Sequence, residues 1–230
     1  MWGKWIGCEV PDAARGRFWA AQRAWEAIGD QPGLVGQVGG WDQATGRAHV
    51  LGLWRDADAH GRFLRERHDQ VLAGSGQRGA YTAIETAGGE VVLTMAGEEP
   101  DLPGALARAA LLRLADCRLL PGREEHFLDV QRQVWAPGMA AAGGLLGGVV
   151  TRLDEARHLV ATLWSDAAAH RHYTAEYLPG LRSRAGLAGD VRSLTGHVLT
   201  LEPAWRVLPE ARPGGKPPAP GTGSVAPCTA

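Results

Sequence analysis

Along the chain, the spacing of apolar residues alternates between two and about 3.6, the periods of a strand and of a helix. Residues 3–10 alternate like a strand and stop before Pro11-Asp12, where Asp12 is expected to cap a helix over about 13–29. Phe18, Ala21, Trp25 and Ile28 fall on one face of that helix, and Gly29 to Gly33 ends it. Strands follow at 34–41 and 49–54, joined by a hairpin turn at Asp42-Gln43-Ala44-Thr45-Gly46. Asp56 is expected to cap a second helix reaching about 72. The last strand falls within 81–95, with Gly88-Gly89 as a place where it would break.

The same order then recurs. Strands are expected at 112–119, 145–153, 157–164 and 191–201, with helices starting near Pro121 and at Asp166. The residues match as well as the periods. Cys8, Phe18 and Gln22 recur as Cys117, Phe127 and Gln131, and Gly33-Leu34-Val35-Gly36 recurs as Gly144-Leu145-Leu146-Gly147. Leu53-Trp54-x-Asp56-Ala57 and His60 recur as Leu163-Trp164-x-Asp166-Ala167 and His170. So many matches in one order identify a tandem duplication. Its parts are a first repeat at 1–95, a linker at 96–110, a second repeat at 111–203 and a tail at 204–230. Pro and Gly from 213 to 221 mark the tail as disordered, although Trp205 and Val207 are candidates to pin its start.

A βαββαβ unit is the ferredoxin-like arrangement, which carries both helices on one face of a four-stranded sheet. The other face is bare. Two such units in one chain can bury their bare faces against each other. The fold class is therefore α+β, with two ferredoxin-like repeats forming one intrachain barrel.

Composition narrows the partners. Net charge is −1, which provides no field of one sign for nucleic acid or an anionic membrane. No apolar run reaches the roughly 20 residues that span a bilayer. The first residues lack a signal-peptide core, so the expected location is the cytoplasm. Three widely spaced cysteines suggest neither disulfides nor a cysteine-based metal site.

Trp5-Ile6-x-Cys8-x-Val10, Gly39-Gly40-Trp41-Asp42, and His68-Asp69-x-Val71 with Gln77 and Tyr81 resemble the YdbC-like family of dimeric α/β-barrel proteins, a family of unknown function. The resemblance covers about residues 2–95. The second repeat lacks these elements and resembles only the wider superfamily, which includes antibiotic-biosynthesis monooxygenases, polyketide cyclases and haem-degrading monooxygenases. The resemblance implies a small-molecule enzyme of the cofactor-independent monooxygenase or cyclase type, acting on an aromatic or quinol-like molecule without a bound cofactor. The alternatives are a non-catalytic ligand-binding or stress-related accessory barrel and, less favoured, haem binding or degradation.

The strongest repeated polar pattern is Trp-x-Asp-Ala-x-x-His, seen at Trp54, Asp56 and His60 and again at Trp164, Asp166 and His170. An imidazole one turn into a helix suits a general base, because its reference pKa lies near neutrality. His60, His68 and Tyr81 are the candidate catalytic residues. Trp5, Trp41, Trp54, Gln77, Trp164 and His170 are the candidate substrate-binding residues. On a regular helix His60 and His68 stand about 80° apart, and Asp69 faces away from its neighbour His68. No histidine pair has the i, i+4 spacing of metal ligands, so no metal site is expected. The working site is expected in the first repeat, as a monomeric pseudo-dimer or a homodimer.

Overall fold

The computed structural model describes residues 1–210, so Cys228 and the Pro/Gly-rich stretch at 213–221 lie outside the described residues. The first repeat runs β1 (Trp2–Glu9), α1 (Arg15–Arg23), β2 (Leu34–Asp42), β3 (Ala48–Trp54), α2 (Ala57–Phe63), α3 (Asp69–Ser75) and β4 (Ala83–Ala96). After α4 (Leu102–Arg108), the second runs β5 (Leu111–Leu119), α5 (Glu124–Val130), α6 (Ala136–Ala141), β6 (Leu145–Arg152), β7 (Arg157–Trp164), α7 (Ala167–His172), α8 (Leu178–Ala185) and β8 (Val191–Leu201).

The strands close into one antiparallel barrel in the order β1-β3-β2-β8-β5-β7-β6-β4. Each repeat supplies four adjacent strands, and the two repeats meet at β2–β8 and β4–β6. Alternation along each strand sends one set of side chains inward. Trp5, Val38, Leu51, Leu114, Leu159 and Leu199 form part of this shared core, with the helices on the outside.

Closure depends on close backbone approach at the seams. A Cβ on Gly40 would stand 2.0 Å from the Thr200 carbonyl oxygen, and one on Gly89 would stand 1.7 Å from that of Arg152. Only glycine fits at either place. Gly88-Gly89 therefore does not break β4. The strand runs unbroken, pairing with β1 up to Glu90 and with β6 from there to Ala96.

Three local expectations change. Asp12 makes no cap: it opens a short 3-10 turn, Asp12–Ala14, and α1 starts only at Arg15. The connection at 96–110 contains α4, capped by the Asp101 carboxylate accepting from the Gly104 amide at 2.8 Å. Its Ala105 and Leu106 are fully buried in the barrel core, so the link between repeats also plugs one end of the lumen. Past β8, the chain at 204–210 docks on the first repeat. Trp205 is fully buried with its indole N–H donating to the Trp19 carbonyl at 3.2 Å, and Val207 bridges to Gln37. Among the described residues no helix is long and apolar enough to cross a membrane.

Candidate functional site

A cleft of about 310 Å³ opens in the first repeat between the outer sheet face and the helices. That is near the lower end for small-molecule sites, about 300 Å³. It holds roughly ten waters' worth of liquid volume, or an aromatic skeleton of about two fused rings. Lys4 and Ile6 of β1, Val50, Gly52 and Trp54 of β3, and Gln37 of β2 form the floor. His60, Phe63 and His68 form the helical wall, with Gln77, Tyr81 and Ile84 at one side.

Asp56 Oδ1 accepts from the Ala59 amide at 2.7 Å and fixes the start of α2. One turn in, His60 is 8% exposed and packs edge-on against Trp54, with ring centroids 5.6 Å apart. Burial, with the charges of Lys4 and His68, pushes its pKa down to about 4, so the ring is neutral at pH 7.

His68 reaches the same cleft because the helix is not regular. Leu64–His68 is π-wound, which inserts one extra residue into a turn. That turns the following residues back by roughly 100°, so the 80° offset shrinks to about 20° on the other side. His68 Nδ1 also lies 2.9 Å from Asp69 Oδ1, so the carboxylate expected to face away holds the ring instead. Gln77 Oε1 accepts from the Trp25 indole at 2.9 Å, which makes it a support for the wall.

The structure thus brings together His60, His68, Tyr81, Trp54 and Gln77, while four other candidates lie elsewhere. Trp5 points the opposite way from Lys4 and Ile6, into the barrel lumen, because neighbours on a strand face opposite sides. Trp41 is on the outer face but packs with Phe18 and Trp205 beneath the Arg15 guanidinium, outside the cleft. Trp164 and His170 occupy the equivalent place in the second repeat, where only about 40 Å³ remains. There Trp135, Met139 and Tyr173 fill the space, and Thr162 stands at the position of Gly52. The Thr162 hydroxyl accepts from the Trp164 indole at 3.0 Å.

Sequence reasoning missed Lys4, Gln37 and Gly52. The exchange of Gly52 for Thr162 between otherwise matched strands was the available signal. Cys8 and Cys117 are buried free thiols whose pKa values burial pushes up to about 12, so neither is a nucleophile at neutral pH.

A second polar group lies in the lumen. Asp42, His49 and His197 each offer one potential ligand atom, mutually within 4.8 Å. They escaped the spacing argument because β2, β3 and β8 bring them together across a seam. Part of the group is engaged in hydrogen bonds. The Trp5 indole donates to His49 Nδ1 at 3.2 Å, which leaves the proton of a neutral ring on Nε2. His197 Nδ1 donates to Asp42 Oδ2 at 2.6 Å, and the Ala44 amide to Oδ1 at 2.9 Å. Burial opposes ionisation of Asp42, but these two donors keep its pKa below the usual carboxylate value. The set is a hydrogen-bonded tie between the repeats.

Two ferredoxin-like repeats closed into one eight-stranded barrel, with a helix-covered cleft outside the sheet, define a dimeric α/β-barrel protein whose two halves share a chain. The chain belongs to the YdbC family. Residues 3–87 match the model described as a domain of unknown function, DUF4937. Over 81 residues the chain is 30% identical to the uncharacterised protein YdbC of Bacillus subtilis (strain 168), covering 34% of this chain and 68% of that one. The family-model match falls on the repeat that holds the cleft.

Solved structures are similar across both repeats. A candidate monooxygenase of Fusobacterium nucleatum aligns with a TM-score of 0.69 at 11% identity, covering 87% of this chain and 91% of that one. One of Lactobacillus acidophilus NCFM gives 0.66 at 13%, covering 90% and 95%. An anthrone oxidase-like protein gives 0.61 at 14%, covering 87% and 91%. At these identities the likeness is one of fold.

Proposed function

We propose that the protein is a small-molecule enzyme of the cofactor-independent monooxygenase or cyclase type, working in the cleft of the first repeat on an aromatic, quinol-like substrate. The observation that carries this reading is the cleft itself. It is apolar, large enough for a small aromatic, and has two imidazoles on one wall, whereas its counterpart is filled. The relatives in fold that are named for monooxygenase or anthrone oxidase chemistry agree with it.

In this reading His68 takes the acidic proton of the substrate, and Asp69, 2.9 Å away, orients the ring and stabilises the imidazolium. Burial lowers the His60 pKa to about 4, so its neutral ring acts as a hydrogen-bonding partner. Tyr81 orients the substrate at the mouth. The resulting anion reacts with dioxygen: an activated CH2 becomes C=O, one oxygen atom enters the product, and the other leaves as water. Cyclisation starts from the same deprotonation without oxygen.

The weak basicity of His60 favours a second reading, a non-catalytic ligand-binding barrel. Haem binding stays the lesser alternative, because a cleft of roughly ten waters' volume suits a small aromatic better than a porphyrin macrocycle. The test is aerobic incubation with 1-naphthol, a two-ring probe whose keto tautomer carries the activated CH2, following 1,4-naphthoquinone formation and oxygen uptake. Turnover above buffer that drops at least tenfold in His68→Ala supports catalysis. Rates equal to buffer, or unchanged in the His60→Ala/His68→Ala pair, reject it.

A further inference from the structure

The cleft holds an ammonium group and a buried, unpartnered amide donor but no carboxylate to meet them. Lys4 projects from β1 into the cleft, half-buried, and among the described residues no carboxylate pairs with it. No Asp or Glu lines the cleft. Gln37, 8% exposed, lines the same floor, and its amide nitrogen is buried without a partner. The Trp54 indole lies beside Gly52, with Nε1 3.6 Å from where a Cβ on Gly52 would stand. In the second repeat the matching indole is satisfied by Thr162, but Gly52 offers no hydroxyl. A buried donor without an acceptor is costly, and an ammonium without a counterion more so.

We propose that the cleft selects an aromatic ligand carrying one anionic oxygen group, a carboxylate or an ionised enol, held by Lys4 with the Gln37 amide and the Trp54 indole donating to it. The proposal rests on the cleft being the ligand site, as in the functional reading above, and adds the charge of the ligand. Lys4 retains a pKa lowered by burial, and an anion beside it would restore the charged form. His60, neutral and within reach of the Lys4 charge, leaves that charge uncompensated. A ligand with two acidic groups would have to bury its second charge against an apolar wall.

The test compares three bicyclic probes by calorimetry on the full chain at pH 7.5. These are 2-naphthoate, 2-hydroxy-1,4-naphthoquinone as an ionised enol, and neutral 2-naphthamide. At least one anion should bind tenfold or more tighter than the amide, and which one does identifies the source of the charge. Lys4→Met should abolish that preference while leaving amide affinity within about twofold, and Lys4→Arg should restore it. Gly52→Thr, whose Cβ would make only ordinary contacts and which copies the second repeat, should weaken all three. Equal affinity for the amide and both anions would overturn the proposal, as would an unaltered preference in Lys4→Met or undiminished binding in Gly52→Thr. Because binding is read without turnover, charge preference without oxidation would sink catalysis and leave this inference standing. Oxidation without charge preference would do the reverse.

Discussion

Mild acid should destabilise this protein well before its carboxylates titrate. His49, His60 and His170 are 0%, 8% and 6% exposed, and burial pushes each pKa from 6.5 to about 4. Nearby charges act the same way: His197 and Arg47 on His49, Lys4 and His68 on His60, and Arg113 on His170. Between pH 4 and 6.5 the unfolded chain binds protons at these sites and the folded chain does not. Stability is therefore complete above about pH 6.5 and falls as pH drops toward 4. At one unit below the unfolded pKa, each ring costs about 1.4 kcal/mol, or roughly 4 kcal/mol for three. That is a large share of the roughly 5–15 kcal/mol that holds a typical domain together. Urea unfolding at pH 7.5, 6.5 and 5.5 measures it. Stability should drop by about 3–4 kcal/mol between the extremes, and His170→Gln should remove about a third of that slope. A midpoint unchanged between pH 7.5 and 5.5 would refute the claim that these imidazoles are buried and neutral.

Thr162→Gly should leave the Trp164 indole unpaired, costing about 1–3 kcal/mol by urea unfolding. Trp205→Ala should cost about 3–5 kcal/mol, because a fully buried ring leaves a cavity between α1 and β2. Gly89→Ala should fail to give a stable barrel. Gly74→Ala, at an exposed position of α3 with nothing within 4 Å, should stabilise by about 1 kcal/mol. Comparing the thermal midpoints of the last two separates close approach at a seam from simple helix propensity.

Much of the fold was legible because it rests on local and periodic signals. The switch between periods of 2 and 3.6 gave the element order, and the matched residues in both halves gave the duplication. A βαββαβ unit with one bare sheet face has few ways to hide it, so the barrel followed from the repeat. The cap at Asp56 and its copy at Asp166 were readable for the same reason: three residues of chain contain the whole interaction.

The site was legible only in part. The structure brings His60, Trp54 and Tyr81 to one cleft, but strand parity alone does not say which face becomes the lumen, and Trp5, a candidate for the same site, faces it. The π turn at Leu64–His68 brought His68 and Asp69 into use, and no spacing rule on a regular helix would have found it. The group at Asp42, His49 and His197 exists only because a seam joins strands from opposite ends of the chain.

The sequence by itself determined the duplication, the order of strands and helices, and the closure of two repeats into one barrel. The tertiary structure decided which copy keeps a cleft. That outcome depends on side chains contributed by distant segments, with Trp135, Met139 and Tyr173 around the small space left in the second repeat and Phe63 at the matching wall position in the first. A close-packed interior turns such single exchanges into the presence or absence of a site.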